Sequence, residues 1–315
     1  MIGRWLARVR HPRCRIAVLA FLAAVLCAAP AGAARVAVVL SDESEPYLEV
    51  YQAIRAGLGE TPHEVERAVA ENLAPARLRD AAVVVTVGVR ATEALARLGE
   101  RPPLLAVLVP RSWYLSNGQA LLAASNRPFT AIYLEQTSER QARLVREAFP
   151  TARTVGIVTS AEFAWVANEF ADSLRRQGLA LAHVTVAGDE QLIRPLEAVL
   201  GRVDVLLAVP DSQVFNRNTA QSLFLTSYRY RVPVQGYSAS LTRAGALLSL
   251  HSSPQQIGRQ TAESLLSALR NPAVRLSPPS HPAYYSVSVN EQVARSLGIS
   301  LPSAVELALR LEGER

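Results

Sequence analysis

No lysine occurs anywhere in the chain, so all 33 of its basic residues are arginine, a trait of codon usage more than of chemistry. Cysteine is almost as scarce. There are two, Cys14 and Cys27, and none after residue 33. That excludes a disulfide framework and a thiolate metal site from the body of the protein, whose stability must come from packing alone. Long apolar runs are missing too. The longest, residues 16–29, has about 14 residues, short of the roughly twenty that span a bilayer as a helix. Catalytic signatures are also absent: no Gly-x-Ser-x-Gly elbow, no Walker loop and no His-Glu-x-x-His. His63, His183, His251 and His281 are isolated in sequence and are expected to be surface or packing residues.

The beginning of the chain does carry a pattern. Arg4, Arg8, Arg10, Arg13 and Arg15 precede the apolar run, and Pro30 with Ala31-Gly32-Ala33 follows it, with no acid among them. This order of charge, apolar stretch and small residues predicts a secretory signal peptide over residues 1–33, cleaved after Ala33. Cys27 follows Ala24-Val25-Leu26, but a lipoprotein signal needs a small residue just before the cysteine, and Leu26 is large. Soluble export to the periplasm is therefore expected in preference to a lipid anchor. The formal net charge of +6 falls to about +1 without those five arginines. With no basic cluster interleaved with aromatics, a nucleic-acid partner is not expected.

Beyond residue 33, short apolar runs alternate with helical periodicity, which predicts parallel sheets covered by helices. Strands are predicted at 36–40 (VAVVL), 82–87 (AVVVTV), 104–109 (LLAVLV) and 129–134 (FTAIYL), with helices at 46–58, 91–98 and 136–149. Thr137 or Ser138 is the expected N-cap of the last. The cycle then restarts with strands at 155–159, 181–187, 203–209 and 232–237, separated by helices at 161–177, 190–200 and 219–230. The end of the chain adds a strand at 246–250, a helix at 254–269 with Pro254 at its start, a strand at 285–289 and a helix at 290–297. Two βαβ series of similar length predict an α/β protein of two Rossmann-like lobes. The first is expected to hold 34–135 and 247–284, the second 136–246 and 285–315, joined by a hinge of several chain crossings.

Two segments place polar and aromatic residues just past apolar strands: Val209-Pro-Asp-Ser-Gln-Val-Phe-Asn-Arg-Asn-Thr-Ala-Gln221 and Val232-Pro-Val-Gln-Gly-Tyr-Ser238. In open α/β sheets that rim is where ligands bind, although Asp211 and Asn216 could equally form turns and cap the next helix. The turn Thr86-Val-Gly88-Val-Arg90 lacks the glycine triplet of a dinucleotide fingerprint, so no cofactor is expected. With Ala244-Gly-Ala-Leu247, Ser253-Pro-Gln-Gln-Ile-Gly-Arg-Gln260 and the tail from Val289-Asn290 to Ile299, these segments resemble the ABC-transporter substrate-binding family of type I periplasmic-binding-protein fold. The branch in question includes binders of tryptophan and other aromatic amino acids. There Asp-Asn is usual where this chain has Asp211-Ser212.

The resemblance implies a non-enzymatic protein with a cleft walled by Ser41, Tyr47, Gly88 and Thr92 from the first lobe. Ser160, Phe163, Asp211, Ser212, Tyr237 and Ser238 are implied from the second. A zwitterionic amino acid would suit that set, with Asp211 for its ammonium and Tyr47 or Phe163 for its side chain. Trp113, Tyr114 and Trp165 could be anchors in the cleft or packing; aromatics at strand and helix ends are core more often than ligand platforms, so the two tryptophans are left outside the expected site. The implied partners are a small-molecule ligand and an ABC permease of the inner membrane, with the protein itself a monomer. A periplasmic sensor or accessory subunit on the same fold is the alternative, and an exported hydrolase the least favoured.

Overall fold

Alternate residues of one strand feed two separate cores. In β1 (Arg35–Leu40), Val36, Val38 and Leu40 pack with Val50 and Ile54, while Ala37 and Val39 pack on the opposite face with Leu95 and Leu122. A continuous β-branched run is what a strand buried on both faces requires. The computed structural model describes residues 33–98, 102–187, 191–271 and 273–312. The expected leader at 1–33 lies outside them except for Ala33, as does Glu190, the expected start of a helix that runs over Ile193–Leu200.

The first sheet has the order β2-β1-β3-β4-β5 and is wholly parallel. Its members are β1, β2 (Glu64–Val69), β3 (Val83–Val87), β4 (Leu104–Val109) and β5 (Phe129–Tyr133). Helices Glu45–Leu58 and Pro254–Leu269 cover one face. They approach so closely that a Cβ on Gly258 would lie 2.5 Å from Ala53 Cβ. Helices Val89–Ala96 and Gln119–Ala124 cover the other. The second sheet has the order β11-β10-β9-β8-β6-β7. It comprises β6 (Thr154–Ser160), β7 (Ala180–Val186), β8 (Val205–Leu207), β9 (Val234–Gly236), β10 (Leu248–His251) and β11 (Ser286–Val289). Only the β10–β11 pair is antiparallel.

Thr137 is the N-cap of helix Ser138–Ala148, its hydroxyl accepting from Arg140 N at 3.2 Å. Ser253 and Gln256 form a reciprocal capping box at the start of Pro254–Leu269.

One expectation needs correcting. The strand expected at 246–250 was assigned to the first lobe, but β10 pairs with β9, Leu248 beside Gln235, and with β11. The chain therefore returns to the first lobe after His251, not at Leu247. It crosses between lobes three times, at residues 134–137, 252–253 and 281–285. These crossings are tied together. Gln136 Nε2 donates to Ser252 Oγ (2.7 Å) and to the Tyr284 carbonyl (3.2 Å), and Ser252 Oγ donates to that carbonyl at 2.7 Å. Among the described residues no helix is long and apolar enough to cross a membrane.

Candidate ligand-binding site

The carboxyl ends of both sheets face one another across the crossings, and a cleft of about 680 Å³ opens between them. Tyr47 and Leu108 wall it from the first lobe, Ser238, Arg243 and His251 from the second. Leu108 has φ 54° and sits where the β4–β5 register shifts between Val107 and Val109. A left-handed leucine in a bulge is an uncommon conformation, and here it belongs to a residue lining the cleft. Tyr237 is shared by this outer cleft and a second, inner chamber lined by Glu135, Phe163, Trp165, Asp211 and His281. The chamber is only about 40 Å³. That is room for a few waters and not for an organic solute, so a solute needs the lobes to part.

The narrowness has a visible cause. Arg111, the first residue of the helical segment after β4, reaches across to the second lobe. Its guanidinium donates to Glu169 Oε2 at 2.5 Å and lies 5.6 Å from the centre of the Trp165 ring. Beside it Ser112 Oγ donates to the Pro210 carbonyl at 3.3 Å. These contacts bridge the lobes directly.

Of the residues that the sequence implicated, Tyr47 and Ser238 line the outer cleft, Phe163 and Asp211 the inner chamber, and Tyr237 both. Ser238 also caps helix Ala239–Ala244, accepting from Leu241 N at 3.2 Å. Four others are placed differently. The buried Ser41 hydroxyl donates to the Val87 carbonyl (2.8 Å) and accepts from Ala91 N (3.1 Å), so it clamps β3 and the following helix. Thr92 is fully buried and bonded to Thr86 and the Gly88 carbonyl, each at 2.9 Å. Ser212 is exposed and its carbonyl accepts from Asn216 Nδ2. Gly88 supports the wall without lining it. Its φ is 89°, and a Cβ there would lie 2.6 Å from Ser41 Oγ and 3.0 Å from Tyr47 Oη.

Asp211 is 1% exposed and joins two turns, Oδ2 accepting from Ser160 N (2.7 Å) and Oδ1 from Gln213 N (3.0 Å). The Ser160 hydroxyl is buried without a hydrogen-bond partner among the described residues.

The sequence reading left Trp165, His251 and His281 as packing or surface residues, whereas they line the chamber or the cleft, and it missed Glu135. Glu135 follows β5 at the first crossing. Oε1 accepts from Arg111 N at 2.7 Å, and Oε2 is buried with no partner among the described residues. Burial pushes its carboxyl up to about 7, opposed by its own backbone N–H and by the backbone and guanidinium of Arg111, with the nearby Glu169 charge adding to the rise. Burial, reinforced by the charges of Glu135 and Asp211, pushes the Tyr237 phenol up to about 12. His281 Nδ1 donates to the Glu135 carbonyl (2.9 Å) and the ring packs edge-on against Tyr133. Burial holds it below the usual histidine range. The signal for Glu135 was present in the sequence, an acid directly after an apolar strand at the turn between the two βαβ series. No group of His, Cys, Asp and Glu among the described residues could hold a metal ion.

The family of ABC transporter substrate binding proteins matches residues 61–309. The chain belongs to this family. Its members are substrate-binding proteins, not enzymes. No curated protein sequence matches the chain. Among solved structures, an L-Trp complex from Streptococcus pneumonia is similar at TM-score 0.60 and 15% identity, covering 87% of this chain and 98% of its own. A conserved domain protein from Vibrio cholerae gives 0.60 at 21% identity, covering 87% and 97%. A ligand-free, open substrate-binding protein from Clostridium difficile gives 0.66 at 14%, covering 86% and 96%. At such identities the likeness is one of fold, two α/β lobes with mostly parallel sheets.

Proposed function

We propose that this protein is the exported solute-binding component of an ABC-type uptake system, closing two lobes over a small organic solute and presenting the closed form to an inner-membrane permease. The observation that carries the reading is the inter-lobe cleft, walled from both lobes at the strand ends and spanned by three tied crossings, with buried polar groups at its base. Such a protein works because its solute binds the closed state more tightly than the open one, so no bond need be made or broken. Export rests on the leader expected at residues 1–33. Amino acids are the first class to test, since the L-Trp complex shares the fold. Tyr47, Phe163, Asp211, Tyr237 and Ser238 form the proposed contact set, together with Glu135.

The test is a thermal-shift screen of the purified protein against amino acids, amines, sugars, nucleosides and short peptides. A ligand at a hundred times its dissociation constant adds about 2.7 kcal/mol to the folded state, enough to raise the melting temperature by several degrees. A saturable rise from one chemical class supports the reading. No rise from any class removes it in favour of an accessory or sensor protein.

A further inference from the structure

Folding explains the half-buried Glu135 less well than the fully buried Asp211. Asp211 has both carboxylate oxygens on backbone N–H groups. Glu135 has only Oε1 so engaged, and Oε2 lies buried at the wall of the inner chamber with no donor among the described residues. A buried carboxylate oxygen without a donor is costly, and a site that keeps one is suited to a partner from outside the chain. The guanidinium that could neutralise it belongs to Arg111 and is turned to Glu169 and Trp165 instead. The chamber thus has Glu135, Asp211 and Glu169 against the single guanidinium of Arg111 among its described lining residues. Phe163 and Phe170 supply an apolar flank.

From this arrangement we infer that the solute is a cationic amine without a carboxylate of its own, its ammonium on Glu135 and its apolar or aromatic body against Phe163. The inference rests on the solute-binding reading above and narrows it. A zwitterion would bring a carboxylate into a chamber already rich in carboxylates, with its one cation committed. Arg243 lines only the outer cleft, on the far side of the shared Tyr237 wall.

Proton linkage follows. The charged and titratable groups facing Glu135 are Arg111, Glu169, Asp211, Tyr237 and His281. Because burial holds Glu135 near 7, an arriving ammonium shifts it to the ionised form and releases about half a proton at pH 7.

The experiment is calorimetric titration at pH 7 with tryptamine, phenethylamine and butylamine, each against its carboxylated counterpart, tryptophan, phenylalanine and norvaline. At least one amine is expected to bind ten times more tightly than its counterpart. In buffers of different ionisation enthalpy the native protein should release a fraction of a proton, a readout that needs no variant. Glu135→Gln, with its fold checked by circular dichroism, should weaken the amine tenfold or more and abolish that release. Equal or tighter binding of the amino acids, or unchanged amine affinity in Glu135→Gln, overturns the inference while leaving solute binding intact. If no amine, amino acid, sugar or nucleoside binds, both readings fail together.

Discussion

A carboxyl group whose folded value is raised favours the fold only while it is protonated. Glu135 moves from its ordinary 4.5 to about 7. Its stabilising effect is complete below the unfolded value and is lost as pH rises through about 7, at a cost on the order of 3 kcal/mol. Without ligand, Glu135→Gln is therefore expected to melt several degrees above the parent at pH 8, and within a degree or so of it at pH 5. Melting curves at the two pH values check this, and a constant difference would show that burial does not govern the group. Gly88 makes a different residue-scale prediction. Its φ of 89° and the 2.6 Å approach to Ser41 Oγ leave no place for a methyl group. Gly88→Ala should lower stability by about 1–3 kcal/mol in a urea titration, because the backbone is strained and the Ser41 clamp is displaced.

At the scale of elements, overpacking is the sensitive point of the first lobe. A methyl group at Gly258 would meet Ala53 Cβ at 2.5 Å and the Val50 carbonyl at 2.7 Å, so Gly258→Ala forces apart the two helices that cover the sheet. A loss of about 1–3 kcal/mol is expected by denaturant unfolding. The same scale shows what a single sequence can convey. Strands such as β1, β3 and β4 were legible because burial on both faces demands uninterrupted β-branched and aliphatic runs. Strand β2, Glu64–Val69, was not. It is a sheet edge with Glu64, Glu66 and Arg67 in six residues, and charges that discourage edge-to-edge pairing also erase the apolar signal. The lobe of β10 was hidden because a strand's partner is a long-range fact that its own residues do not carry. Helix Pro254–Leu269 was legible to its ends from proline, cap and periodicity. In the site, strand-end position pointed to Asp211, Tyr237 and Ser238, and the family resemblance implied Tyr47 and Phe163 with them. The resemblance implied Ser41 and Thr92 as well, whose hydroxyls are taken up by backbone and neighbouring threonine. Spacing places a hydroxyl at a rim; it does not tell which way the hydroxyl bonds.

For the molecule as a whole, the inter-lobe contacts of Arg111 set how readily the cleft opens. Its side chain and that of Glu169 are about a quarter and a third exposed, so the pair is worth roughly 1 kcal/mol and its loss changes the open-to-closed ratio about fivefold. Arg111→Ala should raise the radius of gyration of the ligand-free protein in solution scattering, and an unchanged radius would place the restraint elsewhere. The three crossings have one more consequence, in the order in which the chain becomes a protein. The first sheet is complete at Tyr133, yet Ile257, Ala262 and Leu265, which cover it beside Val50 and Ile54, arrive more than a hundred residues later. The early half cannot seal its own core as it emerges from the ribosome, and closing so long a loop is slow. Were the chain exported as proposed, this topology would keep it from folding before it is threaded through the membrane, with the whole second lobe as the delay.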